Sequence, residues 1–133
     1  MRRILLDTVG LVALWNAQDQ WHEKAAKAMA ALRGEGADIC TTSCILLECG
    51  NAAARTPFRR DVVELRDQFI PDGKLIEPSE SDQSLAWLAY GRGEAGDASI
   101  VDHISIVVMR RLGLTEVFSN DRHFKAAGFN TLF

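Results

Sequence analysis

Cysteine, proline and an excess of basic charge are all missing or scarce in this chain of 133 residues. The cysteines are Cys40, Cys44 and Cys49, odd in number and close together. They form no CxxC pair and no four-ligand zinc pattern, so they read as reduced core thiols of a cytoplasmic protein. Only three prolines occur, and no Pro/Ser-rich linker, repeat or low-complexity tract is present, so residues 1–133 are expected to form one domain. The longest uncharged stretch, Thr8 to Gln18, is too short to cross a membrane. Arg2-Arg3 before Ile4-Leu5-Leu6 starts like a secretory leader, but Asp7 ends the apolar run at once. With 15 basic and 18 acidic residues, net charge −3, the chain is no polycation that binds nucleic acid by bulk charge. Such a ligand would need local basic groups or metal ions against phosphate repulsion. The apolar fraction of 47% and charged fraction of 25% exclude disorder, collagen and coiled coil.

Short strands alternate with helices. Ile4-Leu5-Leu6 is a continuous apolar run, the mark of a strand covered on both faces. Asp19 can cap a helix to about Arg33, stopped by Gly34 and Gly36. Ile39-Cys40-Thr41 predicts a strand, and Ser43 starts a helix to about Arg55, ended by Pro57. A helix over Phe58–Phe69, a brief strand at Leu75-Ile76 and a helix capped by Ser79 or Ser81 and ending near Tyr90 follow. Gly91 to Asp97 holds three glycines and predicts a mobile loop. Ser99 opens a helix to Leu112, apolar on most sides and hence buried, with Gly113 as its stop. Val117-Phe118 predicts a strand, Asp121 a last short helix, and Thr131-Leu132-Phe133 a final edge strand. Alternation of this kind makes an α/β fold with a parallel sheet covered on both faces, whose sites lie at the carboxyl ends of the strands.

Four carboxylates stand out. Asp7 and Asp121 follow strands directly, Glu48 lies within Ile45-Leu46-Leu47-Glu48-Cys49, and Asp102 interrupts the start of the most apolar helix. Singly, each has a plain structural use: Asp7 and Asp121 as helix N-caps, Ser99-Ile100-Val101-Asp102 as a capping box, Glu48 in a salt bridge. Together they need a cation, because buried unpaired carboxylates are costly and the arginines are not spaced to neutralise all four. Clustered hard oxygens suit Mg²⁺ or Mn²⁺. The implied chemistry is metal-assisted phosphodiester hydrolysis, with water activated by the ion and the phosphate charge offset by it.

These segments resemble the PIN-domain ribonucleases, and among them the VapC-type toxins of bacterial toxin–antitoxin pairs. The resemblance runs from Ile4-Leu5-Leu6-Asp7-Thr8 to Ala127-Gly128-Phe129. Thr41-Thr42 to Glu48 and Asn51 is similar to the second motif, Val101-Asp102-His103-Ile104-Ser105 to the third, and Ser119-Asn120-Asp121-Arg122-His123-Phe124 to the fourth. The resemblance implies an α/β/α sandwich on a central parallel sheet of four to five strands. It implies Mg²⁺- or Mn²⁺-dependent cleavage of RNA by Asp7, Glu48, Asp102 and Asp121 as catalytic metal ligands. It also implies a homodimer and a small cognate antitoxin. Departures are Val9 after the Asp-Thr pair, Ser119 for the commoner Thr, and Ala98 where relatives carry an aromatic residue; none removes a carboxylate.

Thr8, Asn51, Asp97, Ser119, Arg55 and Arg122 are candidates for contacts behind the ligands or with substrate; Arg92 and Arg110 are further candidates for phosphate contact. His103 and His123 read as structural, since the metal mechanism requires no histidine, and Trp15, Trp21 and Trp87 as core or dimer-interface residues. Competing functions are a non-catalytic RNA-binding or scaffold domain and a free-standing nuclease without antitoxin. A phosphotransfer domain with Asp7 as acceptor fits less well, because Val9 stands where a dehalogenase-type phosphatase needs a second Asp.

Overall fold

The computed structural model describes residues 2–133. The elements are β1 (Arg3–Leu6), α1 (Thr8–Trp15), α2 (His22–Gly34), β2 (Asp38–Thr42), α3 (Ser43–Ala53), α4 (Arg59–Phe69), β3 (Leu75–Ile76), α5 (Glu80–Gly91), α6 (Ile100–Leu112), β4 (Glu116–Phe118), α7 (Arg122–Ala126) and β5 (Asn130–Thr131). All five strands are parallel, in the order β3-β2-β1-β4-β5. Successive side chains of β1 point to opposite faces, yet Ile4, Leu5 and Leu6 are all buried, so helices cover both sides of the sheet. The expected sandwich and strand count therefore hold.

Strand order reverses direction at β1: the chain first builds outward through β2 and β3, then returns to place β4 on the other side of β1. In open parallel sheets the crevice at such a reversal, beyond the carboxyl ends of the strands, is where ligands bind. Here Asp7 follows β1 and Ser119 follows β4. The register pairs Leu6 with Phe118, so both residues emerge at one level of the sheet.

Gly10 makes this junction close. A Cβ there would lie 2.1 Å from the Phe118 carbonyl oxygen and 2.6 Å from a Phe118 ring carbon. Only glycine lets the first turn of α1 press onto the end of β4. The Asp7 amide donates to that same carbonyl at 3.3 Å, fixing where the Asp7 side chain begins.

Four local expectations change. Residues 8–15 form α1, which had not been assigned an element. The helix expected from Asp19 begins at His22, because Asp19 instead closes a turn, its carboxylate accepting the Trp21 amide at 2.8 Å. The helix expected to reach Arg55 ends at Ala53. The glycine-rich stretch expected as a mobile loop is a run of hydrogen-bonded turns, with Gly93 and Gly96 at positive φ. Elsewhere the stops are those expected: Gly113 adopts the left-handed conformation (φ 69°) that ends α6. The three cysteines are free, Cys40 and Cys49 buried and Cys44 half-buried. Among the described residues no helix is long and apolar enough to cross a membrane.

Candidate metal centre

Each of the four carboxylates is delivered by a backbone junction. Asp7 is the N-cap of α1: its Oδ2 accepts the Val9 amide at 3.3 Å and the Ser119 hydroxyl at 2.9 Å. Asp102 closes a capping box on α6, its Oδ2 accepting the Ser99 amide at 3.2 Å while the Ser99 hydroxyl accepts the Asp102 amide at 3.1 Å. Asp121 caps α7, and its own amide donates to Ser119 Oγ at 3.0 Å. Glu48 lies on the second turn of α3, a helix capped by Thr42, and accepts a hydrogen bond from the Thr8 hydroxyl. The capping roles read from the sequence for Asp7, Asp102 and Asp121 are thus real, while Glu48 makes no salt bridge among the described residues and bonds to Thr8 instead.

The four groups sense one another as charges. Burial pushes the Asp7 carboxyl from 3.8 up to about 7, and the nearby Asp102 and Glu48 push in the same direction against the Ser119 hydrogen bond. Glu48 is raised by burial and by Asp102 and Asp121, and Asp102 by burial and by Asp121. No lysine or arginine among the described residues pairs with any of the four. Asp7 is 1% exposed, and its Oδ1 has no hydrogen-bond partner at all. A buried, unpartnered carboxylate oxygen facing other carboxylates is the donor that a hard divalent cation requires. These residues fit such an ion.

The structure adds a residue to this group. Single ligand atoms of Asp102, Asp121 and His123 lie within 4.8 Å of one another. His123 Nδ1 is 2.7 Å from Asp121 Oδ1 and 3.9 Å from Asp102 Oδ2. Its Nε2 lies 2.6 Å from Asp97 Oδ1. Asp97 also accepts from Arg122 at 3.0 Å and 3.1 Å, so both are committed to each other rather than to a ligand in this structure. The Asp97 hydrogen bond raises the His123 pKa, and the same contact lowers that of Asp97. The sequence signal for His123 was its place two residues after Asp121, which a five-residue helix keeps beside its cap.

Of the other candidates, Ser119 bonds to two of these residues. Asn51 and Arg55 are exposed, Asn51 one turn beyond Glu48 and Arg55 past the end of α3. Ser119 is fully buried and links Asp7 to Asp121. Arg92 pairs with Glu94 at 3.6 Å. A cavity of about 590 Å³ lies beyond His123 and Asp97, walled by Ile106, Val107, Ala126 and Ala127, with Arg110, Arg122 and His103 also on its lining and none of the four carboxylates. Trp15 packs against the core, whereas Trp21 and Trp87 are exposed.

An α/β domain with converging carboxylates at the carboxyl edge of a parallel sheet is the class of protein that these features define. Residues 4–130 match the PIN domain, and the chain belongs to that family. Among solved structures it is similar to VapC20 of Mycobacterium tuberculosis, a sarcin–ricin-loop-cleaving toxin, with a TM-score of 0.79 and 25% identity over 95% of each chain. It shares the fold of FitAcB from Neisseria gonorrhoeae (TM-score 0.67, 17% identity, 98% and 96% of the chains covered). It also shares the fold of DNA-bound VapBC from Salmonella typhimurium (TM-score 0.67, 14% identity, 98% and 97% covered). No curated protein sequence matches it closely enough to count as a relative.

Proposed function

We propose that this protein is a divalent-metal-dependent endoribonuclease, the toxin of a toxin–antitoxin pair, with Asp7, Glu48, Asp102 and Asp121 as its metal-binding catalytic carboxylates. The unpartnered, buried Oδ1 of Asp7 beside two further raised carboxylates is the observation that carries the reading. A bound Mg²⁺ or Mn²⁺ supplies an activated water and offsets the charge that builds on the scissile phosphate. The chain's own part is to hold the donors still. Ser119 binds Asp7 and Asp121 through one hydroxyl, and Thr8 holds Glu48. The N-terminal ends of the helices favour negative charge at this edge, for carboxylate and phosphate alike. Arg110 and Arg122, on the cavity lining, and Arg55, past the end of α3, are the basic groups proposed to meet RNA phosphates, Arg122 by exchanging its pairing with Asp97.

The likeness to a toxin that cleaves the sarcin–ricin loop supports structured RNA as the substrate, and the shared fold of the VapBC and FitAcB proteins supports a cognate antitoxin as partner. A homodimer belongs to the same reading. Leu85, Trp87, Leu88 and Tyr90 on α5 are all about half exposed, an apolar surface of the kind that subunits cover. One domain spanning residues 1–133 and action in the cytoplasm complete the proposal.

The test is cleavage of a sarcin–ricin-loop hairpin and of unstructured RNA, with Mg²⁺, Mn²⁺ or EDTA, by the wild type and Asp7→Asn. Cleavage that requires an ion and the Asp7 carboxylate is expected. Cleavage that persists in EDTA, or in Asp7→Asn, would refute the metal mechanism. A wild type that binds the ion and RNA but cuts neither substrate would favour the scaffold alternative.

A further inference from the structure

We infer that the ion site of this chain is a mixed nitrogen–oxygen site, in which His123 Nδ1 joins Asp102 and Asp121 as a ligand, Asp97 orients the ring, and the preference is for Mn²⁺ over Mg²⁺. The inference rests on the divalent-ion reading above and specifies which ion the site selects.

The geometry has three parts. First, Nδ1 of His123 and one oxygen each of Asp102 and Asp121 sit within 4.8 Å of one another, the spread of donors around one ion. Second, the far nitrogen is already occupied: Nε2 lies 2.6 Å from an Asp97 oxygen. A carboxylate only accepts, so Nε2 carries a hydrogen; Nδ1, 2.7 Å from Asp121 Oδ1, is likewise hydrogen-bonded in the ion-free chain, and an ion bound between Asp102 and Asp121 would take the place of that proton. A carboxylate behind an imidazole in this way fixes the tautomer and the ring plane of a metal-ligating histidine. Third, Asp7 offers a buried oxygen without a partner beside the same cluster, which asks for a cation independently of the histidine.

Asp97 is also held by Arg122, whose Nη2 bonds both of its oxygens, and its backbone ends the run of turns that begins at Arg92. It is a positioning residue and touches no reacting atom. The consequence is selectivity. Mg²⁺ demands a near-octahedral shell of oxygens and gives up its waters reluctantly, whereas Mn²⁺ accepts an imidazole nitrogen more readily.

The experiment is direct ion binding by the whole chain, with Mn²⁺ as the probe. Free Mn²⁺ is counted by electron paramagnetic resonance, Mg²⁺ affinity is read from displacement of Mn²⁺, and ¹⁴N coupling is sought in the electron spin echo of the bound ion. Wild type is expected to show ¹⁴N coupling, lost in His123→Gln. In that variant the Mn²⁺:Mg²⁺ affinity ratio should fall by about tenfold or more, with a smaller fall in the same direction for Asp97→Ala. Bound Mn²⁺ without ¹⁴N coupling would overturn the inference, as would an unchanged ratio in a folded His123→Gln; loss of binding in Asp121→Asn would then leave the carboxylate site standing. Failure of the wild type to bind either ion would overturn the inference together with the metal-dependent reading.

Discussion

Replacing Asp7 by Asn removes one charge from a carboxyl that the fold buries and leaves without a partner on one oxygen. Asn keeps the shape and can still accept from Ser119. In the ion-free protein, burial holds the Asp7 pKa near 7 against 3.8 in its ordinary state, so the folded chain keeps a proton that the unfolded chain releases. Below about pH 4 both states are protonated and no penalty arises. Between about pH 4 and 7 the unfolded chain releases the proton that the folded chain keeps, so stability falls across that range, and above about pH 7 the full loss corresponds to at most about 4 kcal/mol. The variant is therefore expected to match the wild type at pH 4 and to exceed it by up to about that amount at pH 8. Glu48 and Asp102 are raised too, so a shallower slope remains in the variant. Urea unfolding in EDTA from pH 4 to 8 measures this. A divalent ion at about 100 times its Kd should return about 2.7 kcal/mol to the wild type and less to Asp7→Asn. Stability curves that run parallel for the two proteins, or a variant weaker at pH 8, would refute the account of Asp7 as a strained, cation-seeking carboxylate.

Other changes report on separate parts of the structure. Gly10→Ala places a methyl 2.1 Å from a backbone oxygen, so unfolding should show a loss of about 1–3 kcal/mol or more from overpacking. Glu48→Gln and Asp121→Asn should each lower RNA cleavage at least about 100-fold, in single-turnover assays with a folded protein, if electrostatic support of the ion is their role. Ser119→Ala deletes the hydrogen bond that lowers the Asp7 pKa, so in the ion-free protein that pKa rises further and the pH profile of urea unfolding in EDTA should extend its fall to higher pH. A profile that stays in place would detach Ser119 from Asp7.

What the sequence made legible follows from physical rules of short range. Ile4-Leu5-Leu6 reads as a strand because both faces of β1 are covered and no polar residue interrupts it. Ser79, Ser99 and Asp121 read as caps because their side chains bond to amides two or three residues on. The first helix was missed for the opposite reason. Thr8–Trp15 has no polar face: Leu11 and Ala13 are buried while Val12, Leu14 and Trp15 also pack on the core, so no period of 3.6 is visible, and Gly10 argues against a helix locally. Within the site, the four carboxylates were visible as charges in apolar settings. The links among them were not: Thr8 meets Glu48 across 40 positions, Ser119 meets Asp7 across 112, and His123 meets Asp97 across 26.

Helix capping and metal binding are not rival accounts of these carboxylates. A cap needs one oxygen, and Ser, Thr or Asn serves as well as Asp without a charge to bury. Asp7 spends Oδ2 on Val9 and Ser119, Asp102 spends Oδ2 on Ser99, and Asp121 spends Oδ1 on His123. In each the cap fixes the rotamer and leaves the second oxygen without a donor among the described residues. Capping contributes about 0.5–2 kcal/mol, less than the cost implied by holding a buried carboxyl near pKa 7. Charged residues at these positions are therefore explained by what the second oxygens face: in the ion-free chain Asp7 keeps its proton and His123 lies against Asp121, and a bound cation would let all three carboxylates carry their charge together.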